Sequence, residues 1–292
     1  MAEQNNKSQS NLNPKKKKSG FKRFLIFIII VALIWWFNNF TIKITETEIH
    51  SNKIVSPVKI AVISDYHAEK IGISPDTVLK KLKKIDPDAV FYLGDMYSRD
   101  AVQEEMNIAI ELMTDTVSAG FTVFFVPGEH DTSLKYLNIL MQNGVNVMNY
   151  QSAGINLNGN NIRIYGIDNV FFSETFDLST EFALDENYYN ILLAHIPMYE
   201  YYQNFGADLT LCGDTHGGII QLPFNKGPVY YSSTDEWFPE LKQQRNDIYD
   251  KGLFKIADNY KYMFITSGLG NSPVPARLNN RPEIAVIDLM PV

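Results

Sequence analysis

In this chain of 292 residues, five short apolar runs each end in side chains that can bind a cation or carry a proton. Val58 to Ser64 delivers Asp65 and His67, Ala89 to Leu93 delivers Gly94 and Asp95, and Thr122 to Val126 leads through Pro127 and Gly128 to Glu129 and His130. Asn190 to Ala194 delivers His195, and Leu209 to Cys212 delivers Gly213, Asp214, Thr215 and His216. Four of the five histidines lie in this set; His50 is the fifth. Carboxylate oxygens and imidazole nitrogens are ligands that divalent metals accept, and a carboxylate has two oxygens with which to bridge two ions. One strand-end Asp is ordinarily a turn or cap residue. Five such coincidences in one chain point instead to a shared metal site.

Alternating strands and helices must position these groups. Val58 to Ser64 is rich in β-branched residues and reads as a buried strand. A helix follows, capped by Ser74 with Pro75 in its first position, and Val78, Leu79, Leu82 and Ile85 share one face. Pro87 breaks the chain before the next strand, a second helix spans roughly Ala101 to Val117, and Asp131 could cap a third over Ser133 to Met141. In α/β folds, ligands sit outside the carboxyl ends of the strands, so the five strand ends would converge on one rim.

Composition excludes several classes. With 45% apolar and 20% charged residues the chain is too apolar to stay disordered, and its single cysteine, Cys212, excludes disulfide scaffolds and Cys-rich zinc modules. Residues 1 to 41 hold seven of the 26 basic residues and one of the 33 acidic ones. The remaining 19 basic and 32 acidic residues leave a charge near −13, a field that opposes nucleic acid as a partner.

Residues 1–20 read as a disordered basic cytoplasmic tail, and residues 21–41 as a transmembrane anchor. Phe24 to Phe37 is unbroken apolar sequence behind Lys22 and Arg23, with Trp35 and Trp36 at the far interface. No small-residue cleavage site follows, which favours a retained signal anchor. The positive flank places the N-terminus in the cytoplasm and the remainder outside it, in a single-pass cell-membrane protein whose partner is the lipid bilayer. Residues 42–55 read as a linker and 56–292 as the domain that carries the five strand ends.

The order Asp-x-His, Gly-Asp, Gly-Glu-His-Asp, isolated His and Gly-Asp-Thr-His-Gly-Gly resembles the calcineurin-like metallophosphoesterases over about residues 56 to 290. Gly217, Gly218, Leu222 and Pro223, then Gly268, Leu269, Gly270, Arg277, Arg281, Pro282 and Glu283, are similar to the bacterial membrane-associated subgroup of phosphodiesterases and lipid pyrophosphatases. The resemblance implies an α/β fold of four layers, two mixed β-sheets packed face to face and flanked by helices, holding a dinuclear metal site. It further implies a metal-dependent phosphoric ester hydrolase in which metal-activated hydroxide attacks a phosphodiester or pyrophosphate and His130 protonates the leaving group. Asp131 would orient His130 or raise its pKa.

On this pattern the first ion takes Asp65, His67 and His216, the second takes Glu129, His195 and Asp214, and Asp95 bridges. Glu129 stands where the family has Asn, and Asp214 where it has His. Four carboxylates around two divalent ions leave roughly zero net charge, which lowers Lewis acidity and turns preference toward manganese or iron, with zinc and magnesium as further candidates. A basic group should then help to attract phosphate, and Arg277 is the first choice, with Gly217 giving close backbone approach to substrate. The alternative is a pseudoenzyme that binds a metal or phosphate ligand without turnover. A calcium-only acidic cluster fits three histidine ligands poorly. A site near the bilayer suits a lipid-linked or envelope phosphate ester. Tyr199, Tyr201, Tyr202 and Phe205 suit core packing or stacking on a ligand, and residues 232 to 250 a lid.

Overall fold

The computed structural model describes residues 17–168, 177–231, 234–257, 260–271 and 275–292, so most of the N-terminal tail lies outside the described residues. Helix α1 (Lys17–Phe40) is exposed along Phe21 to Phe37. Its Gly20–Phe40 stretch of 21 residues is long and apolar enough to cross a membrane. At the helical rise it measures about 31 Å.

Strand β1 (Lys43–Ser51) follows at once, where a linker was expected over residues 42–55. It pairs in parallel along nine residues with the last strand. Thr45, Glu46, Thr47 and Glu48 alternate here, with both Glu side chains exposed and both Thr half-buried, and Ile49 is buried, the pattern of an edge strand with one wet face.

The first half continues with β2 (Val58–Ile63), α2 (Pro75–Ile85), β3 (Ala89–Tyr92), α3 (Gln103–Ser118), β4 (Thr122–Phe125), α4 (Leu134–Gln142) and β5 (Asn146–Val147). Next come β6 (Gln151–Leu157), β7 (Asn160–Ile167), α5 (Leu178–Glu181), β8 (Tyr189–Ala194), α6 (Tyr199–Phe205) and β9 (Leu209–Cys212). A ribbon of β10 (Tyr230–Tyr231) and β11 (Glu236–Trp237) precedes β12 (Gly252–Ala257), β13 (Lys261–Ile265) and β14 (Glu283–Pro291). Ser74 caps α2 by accepting the Thr77 N–H, as its sequence predicts.

Two mixed six-stranded sheets result, ordered β1-β14-β2-β3-β4-β5 and β12-β13-β9-β8-β7-β6. Ile60, Val62, Phe91 and Leu93 of the first sheet pack with Ile164, Ile191, Leu193 and Leu211 of the second in one apolar core. Ala61, Ile63, Val90 and Tyr92 turn the other way, onto α2, α3 and α4. The second sheet covers its outer face with α5 and α6, where Tyr202 and Phe205 are buried, so core packing accounts for both aromatics. Strands buried on both faces explain why these runs are apolar without alternation.

Candidate metal centre

The carboxyl ends of β2, β3, β8 and β9 meet on one rim of the sandwich. Asp65 N–H donates to Gly94 O, and Asp214 N–H donates to both Asp65 carboxylate oxygens at 3.1 Å, so Asp65 laces the three turns together through its backbone and its side chain. Asp65, His67, Asp95, Asp214 and His216 all have positive φ, between 40° and 70°. Left-handed backbone costs a non-glycine residue roughly 1 kcal/mol or more, and its concentration on these five residues marks a constrained functional site.

The turns also pass at backbone distance. A Cβ on Gly94 would lie 2.5 Å from Gly128 N, and one on Gly128 would lie 2.5 Å from Asp95 N and collide with Asp95 Oδ1. Gly128→Ala is therefore expected to destabilise the fold by about 1–3 kcal/mol, as overpacking does, while also displacing Asp95. Thermal melting together with metal content would show both losses; an unchanged melt would contradict the close approach.

Two groups of ligand atoms form on this frame, Asp65 with His67 and His216, and Asp65 with Asp95 and His195, each within 4.8 Å of one another. His195 Nδ1 lies 2.7 Å from Leu93 O and must donate to it, while His67 Nδ1 lies 3.1 Å from Ser98 Oγ. Both Nε2 atoms are buried without a hydrogen-bond partner, 3.2 Å and 4.0 Å from Asp95 Oδ2 for His195 and His67 respectively. A ring fixed through Nδ1 with its Nε2 lone pair aimed among carboxylates is the usual arrangement of a metal-ligating histidine. These residues fit a metal ion.

The electrostatics agree. Burial lowers His67 to about 4 and takes His216 well below its usual range, which keeps both in the neutral, ligating form. Burial pushes Asp65 up to about 7. His195 behaves in the opposite way: burial lowers it, yet Asp95, Asp65 and Asp214 together drive it to about 10. Its burial would raise Asp95, but His195 holds that carboxyl at about 2. The field that favours a proton on His195 favours a metal cation in the same place.

A model of the calcineurin-like phosphoesterase family matches residues 58–218, more than half the chain and every one of these strand ends. The chain belongs to the calcineurin-like phosphoesterases. It is 26% identical to the uncharacterized metallophosphoesterase YkuE of Bacillus subtilis, with 85% of each chain covered. It is 28% identical to the uncharacterized protein YpbG of the same organism, covering 80% of this chain and 81% of that one. To the phosphodiesterase YaeI of Escherichia coli it is 24% identical, covering 80% and 83%. Membership makes this calcineurin-like phosphoesterase a metal-dependent phosphoric ester hydrolase.

Several expected residues take different places. Glu129 belongs to neither ligand group; it is exposed and lines an outer cleft of about 490 Å³ with Tyr97, Arg99, Met106 and His130. Asp214 stays close, with Oδ1 3.9 Å from His195 Nε2. Asp214 likewise falls outside both ligand groups, and Glu129 is near enough for its charge to help raise the Asp214 carboxyl.

His130 stands beside Asp95. Its N–H donates to Asp95 Oδ1 at 3.0 Å and its Nε2 lies 3.3 Å from Asp95 Oδ2, at the boundary between centre and cleft. Asp131 is neither its partner nor a helix cap. Its buried carboxylate accepts from Gly128 N at 3.0 Å and Met96 N at 3.2 Å, bracing two rim turns, and burial followed by the Asp95 charge pushes it up to about 7. Ser133 caps α4 instead.

Arg277, expected to contact phosphate, is 2% exposed and engaged. It donates to Gly270 O through Nε at 2.9 Å and Nη2 at 2.6 Å, and Nη2 sits 3.5 Å from His216 Nδ1. With further contacts to Gly268 O and Asn280 O, its guanidinium is a strut under His216 that serves backbone carbonyls. Gly217 has φ 58°, and a Cβ there would lie 2.8 Å from Asn280 Oδ1, so it serves the turn that presents His216. A cation that the sequence pattern does not reveal is Lys251. It packs against Gly217, donates to Asn280 Oδ1 at 2.9 Å, and is lowered by burial to about 8. Only the return of β12 to this rim, remote in sequence, brings it there.

Residues 232 and 233 of the expected lid lie outside the described residues. From Thr234 the segment folds into β11 and short 3₁₀ turns, and its end is fastened at Asp250, which pairs with Arg245 at 2.8 Å.

Proposed function

We propose that the protein is a membrane-anchored phosphoesterase that hydrolyses a phosphodiester or pyrophosphate with two metal ions. The observation that carries this is the pair of ligand groups sharing Asp65, with His130 Nε2 3.3 Å from the Asp95 carboxylate. Asp65, His67 and His216 would hold the first ion, His195 and Asp214 the second, and Asp95 both. When bound, the ions supply Lewis acidity, neutralising phosphate oxygens and lowering the pKa of water.

The protein's own groups do the rest. Asp95 orients His130 through its backbone N–H, and His130 delivers a proton to the departing oxygen. The cleft beside it, with Tyr97 and Met106 as walls and Arg99 and Glu129 as charges, gives the leaving group a place to lie. A leaving group there favours a diester or anhydride over a simple monoester, in keeping with the phosphodiesterase named among the relatives. Three carboxylates and three imidazoles suit manganese or iron. The apolar α1 and the basic residues before it support an anchor in the cell membrane with the catalytic domain outside the cytoplasm.

The full chain in detergent, loaded in turn with manganese, iron, zinc and magnesium, is expected to bind two ions and to hydrolyse a chromogenic phosphodiester. Chelation should abolish turnover and lower the melting temperature, because an ion bound only by the folded state stabilises it. One ion per chain without turnover would favour the pseudoenzyme.

A further inference from the structure

Helix α1 and the metal centre leave the sandwich from the same end. Strand β1 begins three residues after α1, and its Lys43 pairs with Glu283 of β14. Two residues on, Ala285 of the same strand pairs antiparallel with Val62, near the end of β2, just before Asp65. From there β1 runs about 30 Å away, so Ser51 to Val55 mark the opposite end.

The junction is not a flexible tether. Asn38 and Asn39 are 8% and 0% exposed at the end of an otherwise exposed helix. Asn39 Oδ1 accepts Arg277 N–H at 2.8 Å while its amide donates to Arg277 O at 3.2 Å, and Asn271 donates to Asn39 O at 2.8 Å. Asn38 Oδ1 accepts Asn279 N–H at 2.9 Å, Trp35 Nε1 donates to Pro275 O at 2.7 Å, and the Arg281 guanidinium lies 4.3 Å from the Phe37 ring centre. Arg277 thus holds the helix end with its backbone and supports His216 with its side chain.

Beside this joint two apolar side chains stand exposed. Gln221 N–H donates to Leu278 O and Asn279 donates to Gln221 O, which places the Leu222–Phe224 turn against the helix-binding loop. Leu278 is 43% exposed, and Phe224 is 92% exposed although its backbone sits at φ 64°. Phe224 lines a depression of about 230 Å³ with Leu222, Pro223, Asn279 and Lys251. An aromatic ring in water on left-handed backbone is costly on both counts, and an apolar neighbour removes one of those costs.

We propose that this rim lies on the bilayer at the C-terminal end of α1, with Phe224 and Leu278 seated among the lipid headgroups and Lys251 level with their phosphates. The inference rests on α1 being a membrane span. It follows from the rigid joint: a helix crossing the bilayer with Trp35 at the interface brings the loop bonded to Trp35 to the same depth. The metal centre then opens toward the membrane surface, where phosphate esters carried by lipids are presented to it.

The test uses the full chain in phosphatidylcholine–phosphatidylglycerol vesicles, with an environment-sensitive fluorophore on Phe224→Cys, Val55→Cys or Phe27→Cys. The native Cys212 is buried and stays unlabelled. Lipids carrying a nitroxide near the carbonyl end of the acyl chain are expected to quench the label at position 224 and leave position 55 unchanged. Nitroxide near the methyl end should quench position 27. Quenching at 27 without quenching at 224 would overturn the membrane-facing rim while leaving the anchor intact. Equal quenching at 224 and 55 would also overturn it, because the domain would then have no fixed face. Failure at 27 would remove the anchor itself, and the rim proposal with it.

Discussion

Asp95→Asn is expected to reduce metal-dependent hydrolysis by roughly 10³-fold or more and to bring the metal content below two ions per chain. Outer-shell partners of metal ligands already cost 10–100-fold when removed, and a shared ligand should cost more. Asp95 stands between the two ligand groups: Oδ2 lies 3.2 Å from His195 Nε2 of one and 4.0 Å from His67 Nε2 of the other, with His130 Nε2 at 3.3 Å. Asn is isosteric and keeps the Oδ1 acceptor for His130 N–H, so the turn should survive while the charge is lost. Circular dichroism close to wild type, with both ions still bound and activity retained, would show that Asp95 bridges nothing. Loss of one ion alone would show that the Asp65–His67–His216 group binds independently.

What the sequence makes legible here is chemistry tied to strand ends. Apolar runs buried on both faces announce β2, β3, β4, β8 and β9, and the residue after each must stand at the rim whatever the details of packing. Asp65, His67, Asp95, His195, His216 and His130 were therefore visible from residue type and order. Side-chain direction was not. Glu129 follows Gly128 in the position that the family motif gives to a ligand, yet it is exposed and lines the Arg99 cleft.

The errors over Arg277 and Asp131 share one cause. A charged residue beside a motif reads as a contact for substrate or for a catalytic neighbour, because sequence shows no backbone donors or acceptors. In the structure Arg277 meets the carbonyls of Gly268 and Gly270, and Asp131 the amides of Met96 and Gly128. Each satisfies buried backbone that turns of this tightness leave unpaired. Strand β1 escaped notice because most of its residues are polar and its partner is the strand at the end of the chain. Lys251 and Phe224 belong to the same class: residues whose roles come from elements brought together across long sequence separations.

His130→Ala should separate proton transfer from binding. With an alkyl phosphodiester, whose alkoxide must be protonated as it departs, kcat is expected to fall by about 10²–10⁴-fold, the range of a lost general acid. With a nitrophenyl ester, whose phenolate departs without a proton, the same variant should lose far less. The backbone N–H that reaches Asp95 Oδ1 is kept, so the ligand groups should stay assembled and the metal content unchanged. His130 Nδ1 is buried without a hydrogen-bond partner among the described residues, and Nε2, 3.3 Å from Asp95 Oδ2 beside the ligand groups, is the atom placed to deliver a proton. His130→Gln, which can hydrogen-bond but not donate an acidic proton, should resemble Ala with the alkyl ester. Equal losses with both esters would instead place His130 in phosphate binding and leave the departing oxygen to be protonated from solvent.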